Sequence, residues 1–514
     1  MTSVGMAKQL VGGGLLCLCA GVLCVNTAIP ARAQVLAQKN WAGSGVTVEV
    51  WWKRGVFYRI DPTKFQDSTG SGKGDLAGIT QRLDYLQSLG VDALIVETAT
   101  GGGKATLLPT PEVSTAFDAL VRAAVGRHLR VLMDMGAPAS QQADAQYLQM
   151  ARAWLNQGAA GIFVPIPALQ KMDGGAHIAQ LLQQLRALTD NFPGERVLLA
   201  DAPAQQDATL KSGLEKYAQL TASAPLGAAD KSGALPSVAT LRGQWMADLG
   251  DTSASETRSQ AANHPLLLAV RVPATGDAAK RMAMERALAV MLLASRSAVL
   301  LEYGQELGLD NAGKEAPLMQ WTPTNLTRKP PPPAEEAKPA PSPNAGYKAF
   351  LPYVPPLPKN FFPPPPMPVV EETDRPTPAD VTLLPGFTAV TLDAAMAAPN
   401  GATANVVTET YEPGSLLNLY KQLIRLHHGN ATIRSGEQTV LIRDALGALV
   451  WVRHAPSNSR TSSTVVVACN LSDKPVVLGD LGGVRVQGLR SLLSPAPGDL
   501  TKVEPGGVVV AETR

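Results

Sequence analysis

The chain has little of what redox, metal or nucleic-acid chemistry needs. It contains four cysteines in 514 residues, and Cys17, Cys19 and Cys24 all stand near the start. Past that point only Cys469 remains, inside TVVVACNLS. One thiol cannot form an internal disulfide, and a cysteine in a run of valines reads as buried and inert. Stability must therefore come from a packed core. The six histidines (128, 177, 264, 427, 428, 454) show no zinc-type spacing. A formal net charge of +2 excludes a general attraction to nucleic acid or to an anionic membrane surface. A phosphate cradle is missing too. GSGKGD places Gly74 after Gly72-Lys73, where a hydroxyl would be needed for Mg²⁺, and Asp67 stands where the first glycine belongs.

The N-terminus does carry a signal. Lys8 precedes the apolar run LVGGGLLCLCAGVLCV, followed by Pro30 and Ala31-Arg32-Ala33. A charged start, an apolar middle and an A-x-A site read as a secretory leader over residues 1–33, and a short membrane anchor is the competing reading. The expected location is periplasmic or secreted, with no membrane span after cleavage.

From Val56 onward, short apolar runs alternate with helical patterns. VFYRI (56–60), VDALIVE (91–97), LRVLMD (129–134), AGIFVPI (160–166), RVLLAD (196–201), PLLLAVRV (265–272) and AVLLEYG (298–304) read as strands. ITQRLDYLQSLG, with Ile79, Leu83, Leu86 and Leu89 on one face and Gly90 as its stop, is one of the helices between them. Continuous apolar strands separated by helices predict a parallel sheet covered on both faces. Seven units are visible and the sixth is blurred around residues 216–240, so the spacing predicts a (β/α)₈ barrel, with a doubly wound open sheet as the runner-up. Between residues 330 and 368, sixteen of 39 residues are proline. No packed core forms from such a stretch. The helical pattern SLLNLYKQLIRLHHG (415–429) resumes afterwards, so residues 322–412 read as a loop inserted in a barrel spanning 46–434. From 435 to the end, short strands separated by Gly, Pro, Asn and Asp predict a small all-β domain, a sandwich.

FQDSTGSGKGD (65–75) alternates oxygen-bearing side chains with glycines. Asp67, Thr69, Ser71 and Asp75, with the carbonyl of Lys73, could wrap a hard cation, or the stretch is a glycine-rich turn.

Residues 51–96, WWKRGVFYRIDPTKFQDSTGSGKGDLAGITQRLDYLQSLGVDALIV, resemble the first two barrel units of glycoside hydrolase family 13, the α-amylase family, closest to its oligo-1,6-glucosidase-like members. PLMQW (317–321), EYGQELGL (302–309) and SPNAGYKAF (342–350) agree. The resemblance implies a retaining α-glycosidase barrel followed by an all-β domain. It also implies Ca²⁺ as the one cofactor, held by D-x-N-x-D-x-x-x-D. Here Asp67 and Asp75 remain, while Thr69 and Ser71 replace two of the better ligands.

Retaining hydrolysis needs a nucleophilic carboxylate and an acid/base carboxylate about 5–5.5 Å apart. In the strand-4 motif the family carries Arg, one residue, then the nucleophilic Asp. AAGIFVPI puts Phe163 at the Arg position and Pro165 at the nucleophile position, and no carboxylate occurs from 158 to 171. At strand 5 Asp201 stands at the acid/base position. At strand 3 Asp134 keeps a strand-end carboxylate, but Pro138 and Ala139 replace Asn-His. At strand 7 neither Asn263-His264-Pro265 nor Arg271-Val272-Pro273 supplies the third Asp. Only twenty residues separate Asp134 from Trp154, too few for the subdomain that forms one wall of the family's substrate cleft. Two readings result. One is an exported, catalytically inactive barrel that binds an α-glucan, an oligosaccharide or a protein partner. The other is a diverged glycosidase using Glu97, Asp134, Asp201, Arg271 and Glu302.

Overall fold

The computed structural model describes residues 50–98, 109–136, 144–171, 174–201, 207–222, 235–249, 266–269, 277–309, 317–323, 400–443, 446–455, 463–479 and 488–513, together with Gly227, Ala398, Leu481, Gly483 and Val484. The expected leader, the proline-rich stretch, Pro138, Ala139, Asn263, His264, Arg271 and Val272 lie outside them.

Eight parallel strands close into a barrel in chain order. They are β1 (Val56–Ile60), β2 (Ala93–Glu97), β3 (Arg130–Asp134), β4 (Gly161–Val164), β5 (Val197–Asp201), β6 (Leu220–Ala222), β7 (Leu266–Ala269) and β8 (Ala298–Glu302). Closure is made by β1 against β8, with Arg59 opposite Glu302. The blurred sixth unit is a three-residue strand followed by the helix Val238–Leu249. Its shortness explains why no apolar run announced it.

The strands are almost wholly apolar because both faces are covered. Phe57, Ala93, Ile95, Leu132, Phe163, Val197, Leu199, Leu220, Ala222, Ala298 and Leu300 pack together inside the barrel. The residues between them, such as Tyr58, Leu94, Leu198 and Leu301, join the larger core under the helices. Helix boundaries follow local chemistry. Thr110 caps Pro111–Val125 through the Val113 N–H, with proline at the first helical position. Gly90 stops Leu83–Leu89 at φ 95°, and a Cβ there would meet Ile424 Cγ2 at 3.0 Å.

The expected insertion ends differently from a plain loop. Val406–Tyr411 is a helix capped by the Asn405 side chain. The amides of Val406 and Val407 donate to the carbonyls of Gln320 and Trp321 at 3.1 Å each. The last residues of the insertion are thereby tied back to the chain just before its start. The helix Leu416–Gly429, capped by Ser415, follows.

The remaining strands are β9 (Glu437–Leu441), β10 (Ala448–His454), β11 (Thr464–Asn470), β12 (Val476–Val477), β13 (Leu489–Ser491), β14 (Lys502–Val503) and β15 (Val508–Thr513). Five form an antiparallel sheet in the order β13-β15-β11-β10-β9, and β12 pairs with β14. Among the described residues, Val476 and Val503 of this ribbon pack against Val450, Val452, Val466 and Ala468 of the sheet, the two layers of a small sandwich. VRVQG contributes only Val484, in an isolated bridge to Leu481, among the described residues. Cys469 is buried on β11, and burial pushes its thiol well above the ordinary range, which makes it unreactive.

Candidate active site at the barrel mouth

Side chains alternate along a strand, so the residue two beyond each interior core position faces the axis one layer higher. On β1 that step runs from Phe57 to Arg59, on β2 from Ile95 to Glu97, on β3 from Leu132 to Asp134. On β5 it runs from Leu199 to Asp201 and on β8 from Leu300 to Glu302. Glu97, Asp134, Asp201 and Glu302 each end their strand. Chemistry in this fold sits at that carboxyl-terminal face.

The centre of the mouth is a cation. Arg59 donates from Nε and Nη2 to Asp134 Oδ2 at 3.0 and 2.6 Å. Its Nη1 donates to Glu302 Oε1 at 3.4 Å, and its Nε lies 3.2 Å from Glu97 Oε1. The guanidinium carbon stands 5.3 Å from the centre of the Phe163 ring, a cation–π contact. Burial works against the Arg59 charge, but Asp134, Glu302 and Glu97 outweigh it and hold the guanidinium firmly protonated.

Asp134 is fully engaged. Its second oxygen accepts the Gly136 amide at 3.0 Å, and the buried Tyr147 hydroxyl donates to the Gly136 carbonyl at 2.9 Å. Among the described residues Asp134 caps no helix, the next one beginning at Asp144. Glu97 is held differently. Burial, with Asp134, Asp61 and Glu302 nearby, pushes its carboxyl up to about 7, against the pull of Arg59.

On β4 the inward position opposite Asp134 is Phe163, which is fully buried. The strand ends at Val164, and Pro165 follows as the N-cap residue of the short helix Ile166–Gln170. Its carbonyl accepts the amides of Ala168 and Leu169 at 3.1 and 3.3 Å. Where the resemblance calls for a nucleophile there is a pyrrolidine ring, and where it calls for an arginine there is a phenyl ring. The guanidinium that Asp134 requires comes from β1 instead. Asp201, half-buried, closes β5 opposite Ala222. It does not cap the following helix, since Asp207 does so through the Leu210 amide at 2.7 Å.

Sequence reasoning missed Arg59. The signal was present, because an arginine two residues after Phe57 breaks an otherwise apolar strand on its inward face.

The expected cation loop is satisfied from within. Asp67 accepts the amides of Thr69, Gly70 and Ser71 on one oxygen and Gly72 on the other, at 2.6–3.2 Å. Asp75 accepts Ser68 on one oxygen and caps Leu76–Gln81 through the Gly78 amide with the other. The Ser71 hydroxyl donates to the Lys73 carbonyl at 3.1 Å, so two of the five candidate ligands bond each other. Among the described residues no group of three or more His, Cys, Asp or Glu side chains could hold a metal. With two carboxylates, both committed to N–H and O–H donors, these residues do not fit Ca²⁺, which takes six to eight oxygens.

Residues 59–98 match the family described as the catalytic domain of alpha amylase. Among curated proteins, the trehalose-6-phosphate hydrolase of Escherichia coli (strain K12) is 43% identical over 95 residues, 16% of this chain and 17% of that protein. The salivary alpha-glucosidase of Anopheles gambiae is 57% identical over 44 residues, 9% of this chain and 7% of that protein. A probable oligo-1,6-glucosidase 2 of Bacillus subtilis (strain 168) is 43% identical over 68 residues, 13% and 11% of the two chains. The matched segments thus span less than a fifth of these relatives. The fold extends much further. A trehalose-6-phosphate hydrolase structure from Bacillus licheniformis superposes with a TM-score of 0.60 at 14% identity, covering 90% of this chain and all of that one. An alpha-glucosyl transfer enzyme gives 0.57 at 17% identity, covering 91% and 100%.

Proposed function

We propose that this α-amylase-family barrel is catalytically silent toward glycosides and serves, after export, as a carbohydrate- or protein-binding module. One observation carries the reading: the inward ladder of β4 ends at Phe163, Pro165 follows just beyond the strand, and Arg59 lies over Phe163 in an ion pair with Asp134. Retaining hydrolysis proceeds through a covalent glycosyl intermediate on a carboxylate. A saturated ring offers no lone pair for that bond. The relatives' names point to α-glucosides, so maltose and isomaltose are the first ligands to try. Export rests on the leader of residues 1–33, and Edman sequencing of secreted material should begin at Gln34.

The test is turnover. The mature chain is incubated with maltose, isomaltose, starch and p-nitrophenyl α-glucoside, alongside Asp201→Ala. Release at the buffer blank in both, with binding of sugar or partner unchanged by Asp201→Ala, is the expected result. Release that Asp201→Ala abolishes overturns the reading.

One observation favours the second reading, a diverged hydrolase. A carboxyl pushed to about 7 beside carboxylates paired with a guanidinium is the kind of split that lets one acid donate and another accept at neutral pH. In that case Glu97→Gln, as well as Asp201→Ala, would remove turnover.

A further inference from the structure

Glu97 is the poorly compensated member of the mouth cluster. The Nε hydrogen nearest to it is used by Asp134, which takes a second bond from Nη2. Nη1 is used by Glu302. One guanidinium therefore faces three carboxylates from β2, β3 and β8, with Asp61 a further negative neighbour just past the end of β1. The three differ in their access to water. The Asp134 side chain is 3% exposed, whereas Glu97 is 35% exposed and has a way out.

We propose that Glu97 is a proton-operated cover over the Arg59–Asp134 pair. Protonated, it lies against Arg59 and adds no charge to the cluster. On losing its proton to water it becomes a third anion around one cation. The ionised carboxylate then regains hydration by turning toward solvent, and repulsion from Asp134, Asp61 and Glu302 offsets the pull of Arg59 that would hold it in. The cover is closed in mild acid and open above neutrality, so access to Arg59 and Asp134 rises with pH. Burial and those same anions place the change near pH 7. This device holds whether or not the mouth binds sugar.

The test follows the Arg59 Nε–H resonance of the full-length mature chain by ¹⁵N NMR from pH 5.5 to 8.5, assigned by its loss in Arg59→Lys. One titration with a midpoint near 7 is expected, absent in Glu97→Gln and retained in Glu302→Gln. No inflection in the parent chain, or one that survives Glu97→Gln, overturns the proposal. Opening is read separately by phenylglyoxal labelling at pH 8.5, with exposed Arg122 as internal reference. Arg59 should be labelled several-fold faster in the parent than in Glu97→Gln, and equal rates would reject the cover.

Discussion

Arg59 and Asp134 form the bond on which the mouth depends. Asp134 is buried, and among the described residues the guanidinium is its ion-pair partner. Removing one partner of a buried pair leaves the other charge stranded in a poor solvent. Arg59→Met should therefore lower stability by about 3 kcal/mol, and Arg59→Met with Asp134→Asn should recover much of it. Urea unfolding of the two variants checks this. Glu409 makes a second residue-scale prediction. Its carboxylate accepts the Leu417 amide at 2.9 Å, yet burial first, and then Glu306 and Glu285, raise it to about 8. The folded form holds its proton at pH values where the unfolded chain has lost it, so stability falls as pH rises from about 4.5 to 8. Glu409→Gln keeps an acceptor for Leu417 without the charge, so its urea midpoint should fall less over that range.

At the scale of elements, the 65–75 loop is a carboxylate wrapped by its own backbone. Asp67→Ala would leave four amides without their acceptor, and a loss of about 1–3 kcal/mol is expected. Because the loop needs no ion, thermal melts in EDTA and in millimolar CaCl₂ should superimpose. The segment 317–321 is a second structural element. The Trp321 ring is packed edge-on by Phe65 and Tyr85, lies under Arg82 at 4.0 Å, and donates to the Phe65 carbonyl at 2.9 Å. Trp321→Ala should cost about 3–5 kcal/mol. Most elements were legible in sequence for a plain reason. Strands buried on both faces read as unbroken apolar runs, and the helices between them carry caps. Val406–Tyr411 was not legible, because VVTETY is rich in β-branched residues and reads as strand. Tertiary bonds to Gln320 and Trp321 hold it in place regardless.

For the whole molecule, the absence of a carboxylate between residues 158 and 171 could be read from sequence. The ion cluster around Arg59 could not. Only barrel closure brings β1 beside β8, and only then do Glu302 and Arg59 meet. The barrel also leans on the C-terminal sheet. Trp245 and Trp451 are both fully buried, with ring centres 4.5 Å apart. Buried Arg453 of β10 donates to the Thr432 and Gly436 carbonyls just before β9. A chain ending at residue 436 would expose this apolar seam and should aggregate or melt without a cooperative transition in circular dichroism. The decisive property of this mouth is whether any of its side chains can capture an anomeric carbon. Intact-mass spectrometry after incubation with an activated fluorinated α-glucosyl fluoride asks that directly. An unchanged mass is the result expected from Pro165 and Phe163, and a mass raised by one glycosyl group would contradict it.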